Sequence, residues 1–213
     1  MTMSRINKAL LPFSLFLMLV AYLLFFETPA GPRSLRVFEP QRTADLELRM
    51  WQAYYRKEKL RLFALLVTLL HEQNRYPWSK ATVAGFHLAR AAAVFGDARG
   101  DYDRVLPDLV RAYAIARDWT GSGFDPEQVA RAELDWWVAR RTPERSAPEE
   151  VGALIAEEYA RLYEVPKDAV ARAAALRAEA AALRDRGGEQ ADWSTIAALL
   201  HDSYRALRTA LGP

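Results

Sequence analysis

The sequence predicts an all-α chain, with an N-terminal single transmembrane helix followed by an irregular multi-helix bundle. Three observations point there. Apolar residues recur at steps of three and four through most of the chain, and no stretch alternates long enough for a strand. An uncharged run of eighteen residues spans 9–26. Short turns rich in proline, glycine and polar residues separate the helical segments.

Residues 9–26 read ALLPFSLFLMLVAYLLFF. As a helix the run reaches about 27 Å, close to the hydrocarbon thickness of a bilayer. Arg5 and Lys8 precede it, and Tyr22 with the terminal phenylalanines suits an interface. It reads as a membrane anchor over residues 1–27 that meets the lipid bilayer through 9–26. A cleaved signal peptide and a buried core helix are the alternatives. A short basic N-terminus before a long domain is a signal-anchor layout, so a single-pass bacterial inner-membrane protein with a periplasmic helical domain is expected. Pro29, Pro32 and Pro40 make residues 28–40 an extended linker.

The helical domain occupies 41–213. Its first helix runs from Gln41 to the break at Arg75–Trp78, with Leu62, Leu65, Leu66, Leu69 and Leu70 on helical spacing. Ser79 is placed to cap a second helix through Phe95. A third opens at Asp101 and runs to about Trp119, with Pro107 dividing it into two pieces. After the Thr120–Gly123 loop, Asp125-Pro126-Glu127-Gln128 is a strong helix start: a capping carboxylate, proline at the first helical position, and Gln128 three residues after the cap. Ser146 and Glu149 form a second capping-box pattern for a helix through Tyr163. Pro166 starts an alanine-rich helix stopped at Gly187-Gly188, and Trp193–Leu211 is the last.

Composition narrows the function. The chain is 51% hydrophobic and 26% charged, which is globular, and its net charge of +2 is spread without a basic block, so nucleic acid is not an expected partner. With no cysteine, disulfide, zinc-thiolate and thiol-nucleophile chemistry are excluded. His71, His87 and His201 fall on three separate helices without the Glu-x-x-His pairs of a di-iron bundle. A metal site assembled by the fold from His71, Glu72 and Glu133 is the residual possibility. No Walker loop, Gly-x-Gly-x-x-Gly or Gly-x-Ser-x-Gly motif is present, and the adjacent Glu157-Glu158 reads as a solvated face. No cofactor is expected.

The remaining signal is aromatic and arginine-rich. Arg49, Trp51, Tyr54 and Tyr55 crowd two turns, and Glu133, Trp136, Trp137 and Arg140 share one broad face of another helix. Buried Trp and Tyr need hydrogen-bond partners, which Glu133 and Arg49 can supply. Adjacent tryptophans cannot both point straight into one core, so one is expected deep and the other at a margin.

The stretches RMWQAYYRKEKLRLFALL, DYDRVLPDLVRAYA, FDPEQVARAELDWWVARR and DWSTIAALLHDSYRAL together resemble a family of uncharacterised bacterial all-helical proteins, over most of 41–211. The resemblance implies one integrated domain, carries no activity or site residue, and leaves the membrane anchor as an addition.

The leading expectation is a non-enzymatic, single-span accessory subunit of a larger integral membrane protein complex, by analogy an electron-transfer or photosynthetic assembly. The eight aromatic and charged residues named above are its candidate partner-binding set. The rival is a membrane-tethered enzyme or apolar-ligand-binding helical protein with a pocket lined by Trp51, Tyr55 and Trp137. Self-association through the alanine-rich helix 167–186 is a third reading.

Overall fold

The computed structural model describes residues 3–212, with side chains from residue 14 onward. The elements among them are all helical: α1 (Met3–Phe26), α2 (Pro40–Tyr55), α3 (Lys59–Asn74), α4 (Trp78–Asp97), α5 (Leu106–Thr120), α6 (Pro126–Ala139), α7 (Pro148–Tyr163), α8 (Lys167–Gly187) and α9 (Trp193–Ala210). Three short 3-10 turns, at Tyr102–Val105, Pro143–Arg145 and Gly188–Gln190, join some of them.

The membrane anchor is corrected. Among the described residues no helix is long and apolar enough to cross a membrane. The described side chains of α1 cover residues 14–26, which make about 20 Å of helix against roughly 30 Å of bilayer hydrocarbon. The side chains of residues 9–13 lie outside the described set. The single-pass inner-membrane placement with a periplasmic domain falls with the anchor, and the bilayer contact over 9–26 rested on it. In the structure α1 leans against α4.

Most element boundaries follow local chemistry. The expected first helix is two: Lys57 takes φ +59, and its N–H closes a turn on the Tyr54 carbonyl, separating α2 from α3. Pro107 does divide the next segment, into the 3-10 turn and α5. Asp125 caps α6 as expected, accepting from the N–H groups of Glu127 (2.9 Å) and Gln128 (3.5 Å). The other two caps are corrected. Pro77 and Ala147 precede α4 and α7, neither helix has a side-chain cap, and the Ser146 hydroxyl donates to the Pro143 carbonyl instead. Asp192 caps α9 through Ser194 and Thr195, and those donors hold its carboxyl well below the usual range.

Helices α2 to α9 form a closed ring. Each packs on the next in sequence, and α9 returns to pack on α2. Small residues let the last seams close. Ala173, Ala174, Ala178, Ala180 and Ala181 are buried on α8, and at Gly152 of α7 an added Cβ would stand 3.3 Å from the Ala175 Cα. The alanine-rich helix is therefore occupied by its own neighbours, α7 and α9, rather than offered for self-association.

Ring closure has a geometric consequence. Eight helix axes about 9 Å apart on a regular ring would lie roughly 12 Å from its centre, and backbones of about 2.3 Å Cα radius leave the space between them to side chains. Side chains fill much of that space. The C-terminal ends of α2, α4, α6 and α8 converge at one rim, where Arg140, just past α6, reaches Tyr55 and Asp185, and Arg141 donates to the Phe95 carbonyl. The ends of α3 and α5 meet at the opposite rim, where the Trp119 indole donates to the Asn74 carbonyl at 3.0 Å. The linker crosses this second rim. Arg36 donates to the Tyr163 and Glu164 carbonyls at the end of α7, and the Glu39 N–H donates to Gln73 Oε1 at 2.9 Å.

Candidate functional site

A cavity of about 450 Å³ remains at the centre of the ring, a size ordinary for a small-molecule site. Every helix from α2 to α9 contributes to its wall. Most of that wall is apolar: Met50, Leu62, Leu66, Leu69, Leu88 and Phe95 among others. Leu35 and Phe38 of the linker also line it. A hollow walled largely by apolar side chains favours molecules with apolar bodies.

Set into the wall is a polar cluster. Glu47, on α2, is buried and accepts from Arg177 Nε (2.9 Å) and Nη2 (2.5 Å) of α8, from the Trp51 indole (3.1 Å) and from the Tyr204 hydroxyl of α9 (2.5 Å). Glu158 of α7 is also buried and accepts from the Trp136 indole at 2.6 Å. Between Glu158 and Glu133 stands the hydroxyl of Tyr113, 2.8 Å from Glu133 Oε2 and 3.3 Å from Glu158 Oε1.

That bridge fixes a proton. One phenol has one hydrogen, so it can donate to only one of its two carboxyl neighbours. The shorter contact takes it: the Tyr113 hydroxyl donates to Glu133 Oε2, while Glu158 holds the Trp136 N–H. Burial, and then the nearby Glu158, push Glu133 up to about 8. Burial raises Glu158 as well, against the pull of Arg177. Tyr113 rises for the same reasons, burial first and then the two carboxylates.

A second polar group sits at the rim. Arg140 forms a two-pronged contact with Asp185, at 3.0 and 2.9 Å, and donates to the Tyr55 hydroxyl at 2.7 Å. The guanidinium of Arg184 lies 3.5 Å from the centre of the Tyr55 ring.

Seven of the eight residues singled out from the sequence line this one cavity: Trp51, Tyr54, Tyr55, Glu133, Trp136, Trp137 and Arg140. Arg49 is exposed and lies outside it. The chain matches no family model, no curated protein and no solved structure. The site therefore has to be read from its own geometry.

The adjacent tryptophans divide as their helix phase requires. Trp136 is buried at 5% exposure and Trp137 is half-buried. Trp137 does not stand free at the margin: it packs on Phe95, with ring centres 5.1 Å apart, and bridges two parts of the core. The partners expected for the rings were Glu133 and Arg49. Those observed are Glu47 for the Trp51 indole and Glu158 for the Trp136 indole. The solvated-face reading of Glu157-Glu158 is half right: Glu157 pairs with Arg161 and Lys167 at the surface, while Glu158 turns inward. Helical phase held the missed signal, since Glu158 falls in register with Val151, Ile155 and Leu162, and Glu47 with Thr43, Met50 and Tyr54.

The residual metal set does not assemble. His71 Nδ1 is 2.8 Å from the Tyr76 carbonyl and its ring stacks on Trp78, Glu72 pairs with Arg42, and Glu133 faces the cavity. Among the described residues no group of three or more histidine, aspartate or glutamate side chains is placed to hold a metal ion.

Proposed function

We propose that this protein is a binding protein for a small, largely apolar molecule, which it holds inside the helical ring. The observation that carries this reading is the cavity of about 450 Å³ with apolar walls and a few converging polar groups. Trp51, Tyr55 and Trp137, which lined the pocket of the ligand-binding alternative, all line it. An accessory subunit docking through aromatic and arginine side chains needs those groups on an outer face, and seven of the eight point inward instead. A non-catalytic role is proposed because the inward-facing acids and bases, one oxygen of Glu133 apart, are bound to one another, and none activates a hydroxyl nucleophile.

A neutral fluorophore such as N-phenyl-1-naphthylamine tests this. Saturable binding with one site per chain is expected, with a blue-shifted emission. Ala92→Trp and Leu66→Trp each add an indole to the cavity wall and are expected to weaken binding by about tenfold, roughly 1.4 kcal/mol. Linear, non-saturating uptake by protein with intact helical circular dichroism would overturn the reading.

A further inference from the structure

We propose that the ligand is an apolar organic cation, an amine or quaternary ammonium on a hydrophobic body, and that Glu133 is its counter-ion. This deepens the cavity-binding reading and rests on it.

The first observation is an open acceptor. Glu133 lies among protein atoms on α6, yet part of its surface stays accessible, and it lines the cavity. Tyr113 engages Oε2, while no side chain or backbone group of the described residues hydrogen-bonds to Oε1, which is not sealed from the cavity either. A carboxyl oxygen left in this way costs free energy unless a ligand or water takes it up.

The second is a charge imbalance. Glu47, Glu133 and Glu158 are three carboxyls around one guanidinium, Arg177, and Arg177 directs both of its contacts to Glu47. The rim arginine Arg140 is matched by Asp185. The groups facing Glu133 are Tyr113 from α5, Glu158 and Tyr163 from α7, Arg177 from α8 and Glu47 from α2. Within its own helix Arg131 turns outward to Asp103 of the 3-10 turn. With Glu133 neutral the cluster carries one uncompensated negative charge, and with Glu133 ionised it carries two. Arg141, the other charged side chain of the wall, stays at the rim on the Phe95 and Ala98 carbonyls and the Tyr54 hydroxyl, so the surplus negative charge is local to the cluster around Glu133.

The third is the lining around the acid. Trp51, Trp136, Trp137, Tyr113 and Tyr204 line the cavity beside the polar cluster; Arg140 and Arg177 already lie over the Trp51 and Trp136 rings, and such rings attract alkylammonium groups as well. A bare metal ion fits this wall poorly, since aromatic and aliphatic carbon supplies most of it and oxygen ligands are few. An ammonium joined to an apolar body uses both parts.

Binding then exchanges one cation for one proton: the ammonium enters, Glu133 releases its proton to solvent, and the ion pair forms. The test compares benzyltrimethylammonium, whose charge does not titrate, with neopentylbenzene, its neutral carbon isostere, as competitors of the bound fluorophore from pH 6 to pH 9. Benzyltrimethylammonium is expected to bind at least about tenfold more tightly than the isostere at pH 9. Its affinity should rise by up to about tenfold per pH unit below the titration of Glu133 and level off above it. The isostere's affinity should not change with pH. Glu133→Gln is expected to bring the two probes together and remove the slope. The pH series on the unaltered protein decides the matter should that variant fold poorly. If both probes compete equally at every pH, the cation proposal fails and the cavity reading stands. If neither competes and the fluorophore itself does not bind, the cavity reading fails and takes the proposal with it.

Discussion

Arg177→Met is expected to destabilise the protein by about 3–5 kcal/mol, seen as a fall in the urea midpoint at unchanged m-value. The guanidinium is 14% exposed, and it is the cation paired with Glu47, whose side chain is 4% exposed. Methionine fills similar space without the charge. It leaves Glu47 ionised in a dry wall with only the Trp51 indole and the Tyr204 hydroxyl as donors. It also removes the positive charge nearest Glu158. The paired variant Glu47→Gln/Arg177→Met removes both charges and is expected to recover more than half of the loss, because the single change is costly chiefly through the charge it strands. A single variant within 1 kcal/mol of the parent would show that the pair is hydrated and not part of the core.

The second large effect concerns pH. Glu133 holds a proton in the folded protein up to about pH 8, whereas an unfolded glutamate releases it near 4.5. A carboxyl raised in this way binds more protons folded than unfolded across that interval. Its contribution is fully present at and below about pH 4.5 and is lost as pH rises through 8, at up to about 1.4 kcal/mol per pH unit. Glu158, raised in the same direction, acts in the same sense. Asp108 acts oppositely. Its burial is outweighed by hydrogen bonds from Arg90 and His87, which hold it below the ordinary range, so its contribution is lost only in acid. Stability measured by urea denaturation is therefore expected to fall from pH 5 to pH 8. Glu133→Gln, which cannot ionise, is expected to flatten that slope and to be more stable than the parent at pH 9. A parent whose stability is level from pH 5 to pH 8 would show that Glu133 is ionised throughout.

The helices were legible in the sequence because their signals are local. Asp125-Pro126, the Gly187-Gly188 stop and Pro107 each act within one turn, and each acts in the structure as read. The split at Lys57 was not legible, since it depends on a non-glycine residue in the left-handed region with no proline or glycine to mark it. The candidate site was partly legible. Trp51, Tyr55 and Trp137 were read as a pocket only in the rival to the partner-binding surface, because aromatic side chains crowd one face of each of their helices. The acids that make the pocket polar were missed because each sits singly, Glu47 among apolar residues and Glu158 beside the solvated Glu157. Their roles appear only when α2 meets α8 and α6 meets α5 and α7, which are pairings that no local pattern encodes. The anchor was over-read because an uncharged run with basic residues before it and aromatic residues at its end was taken for a span.

The return of α9 to α2 also governs how the domain comes apart. In a linear stack of helices the terminal members have one neighbour and fray first. Here each of α2 to α9 has a neighbour on both sides, so opening anywhere breaks two seams at once. The domain is then expected to lack the gradient of local stability that open helical arrays show, with amide exchange at the core of α2 as slow as at the core of α6. Cutting off α9 would convert the ring into an open crescent with two fraying ends, and the hollow it encloses would become a groove.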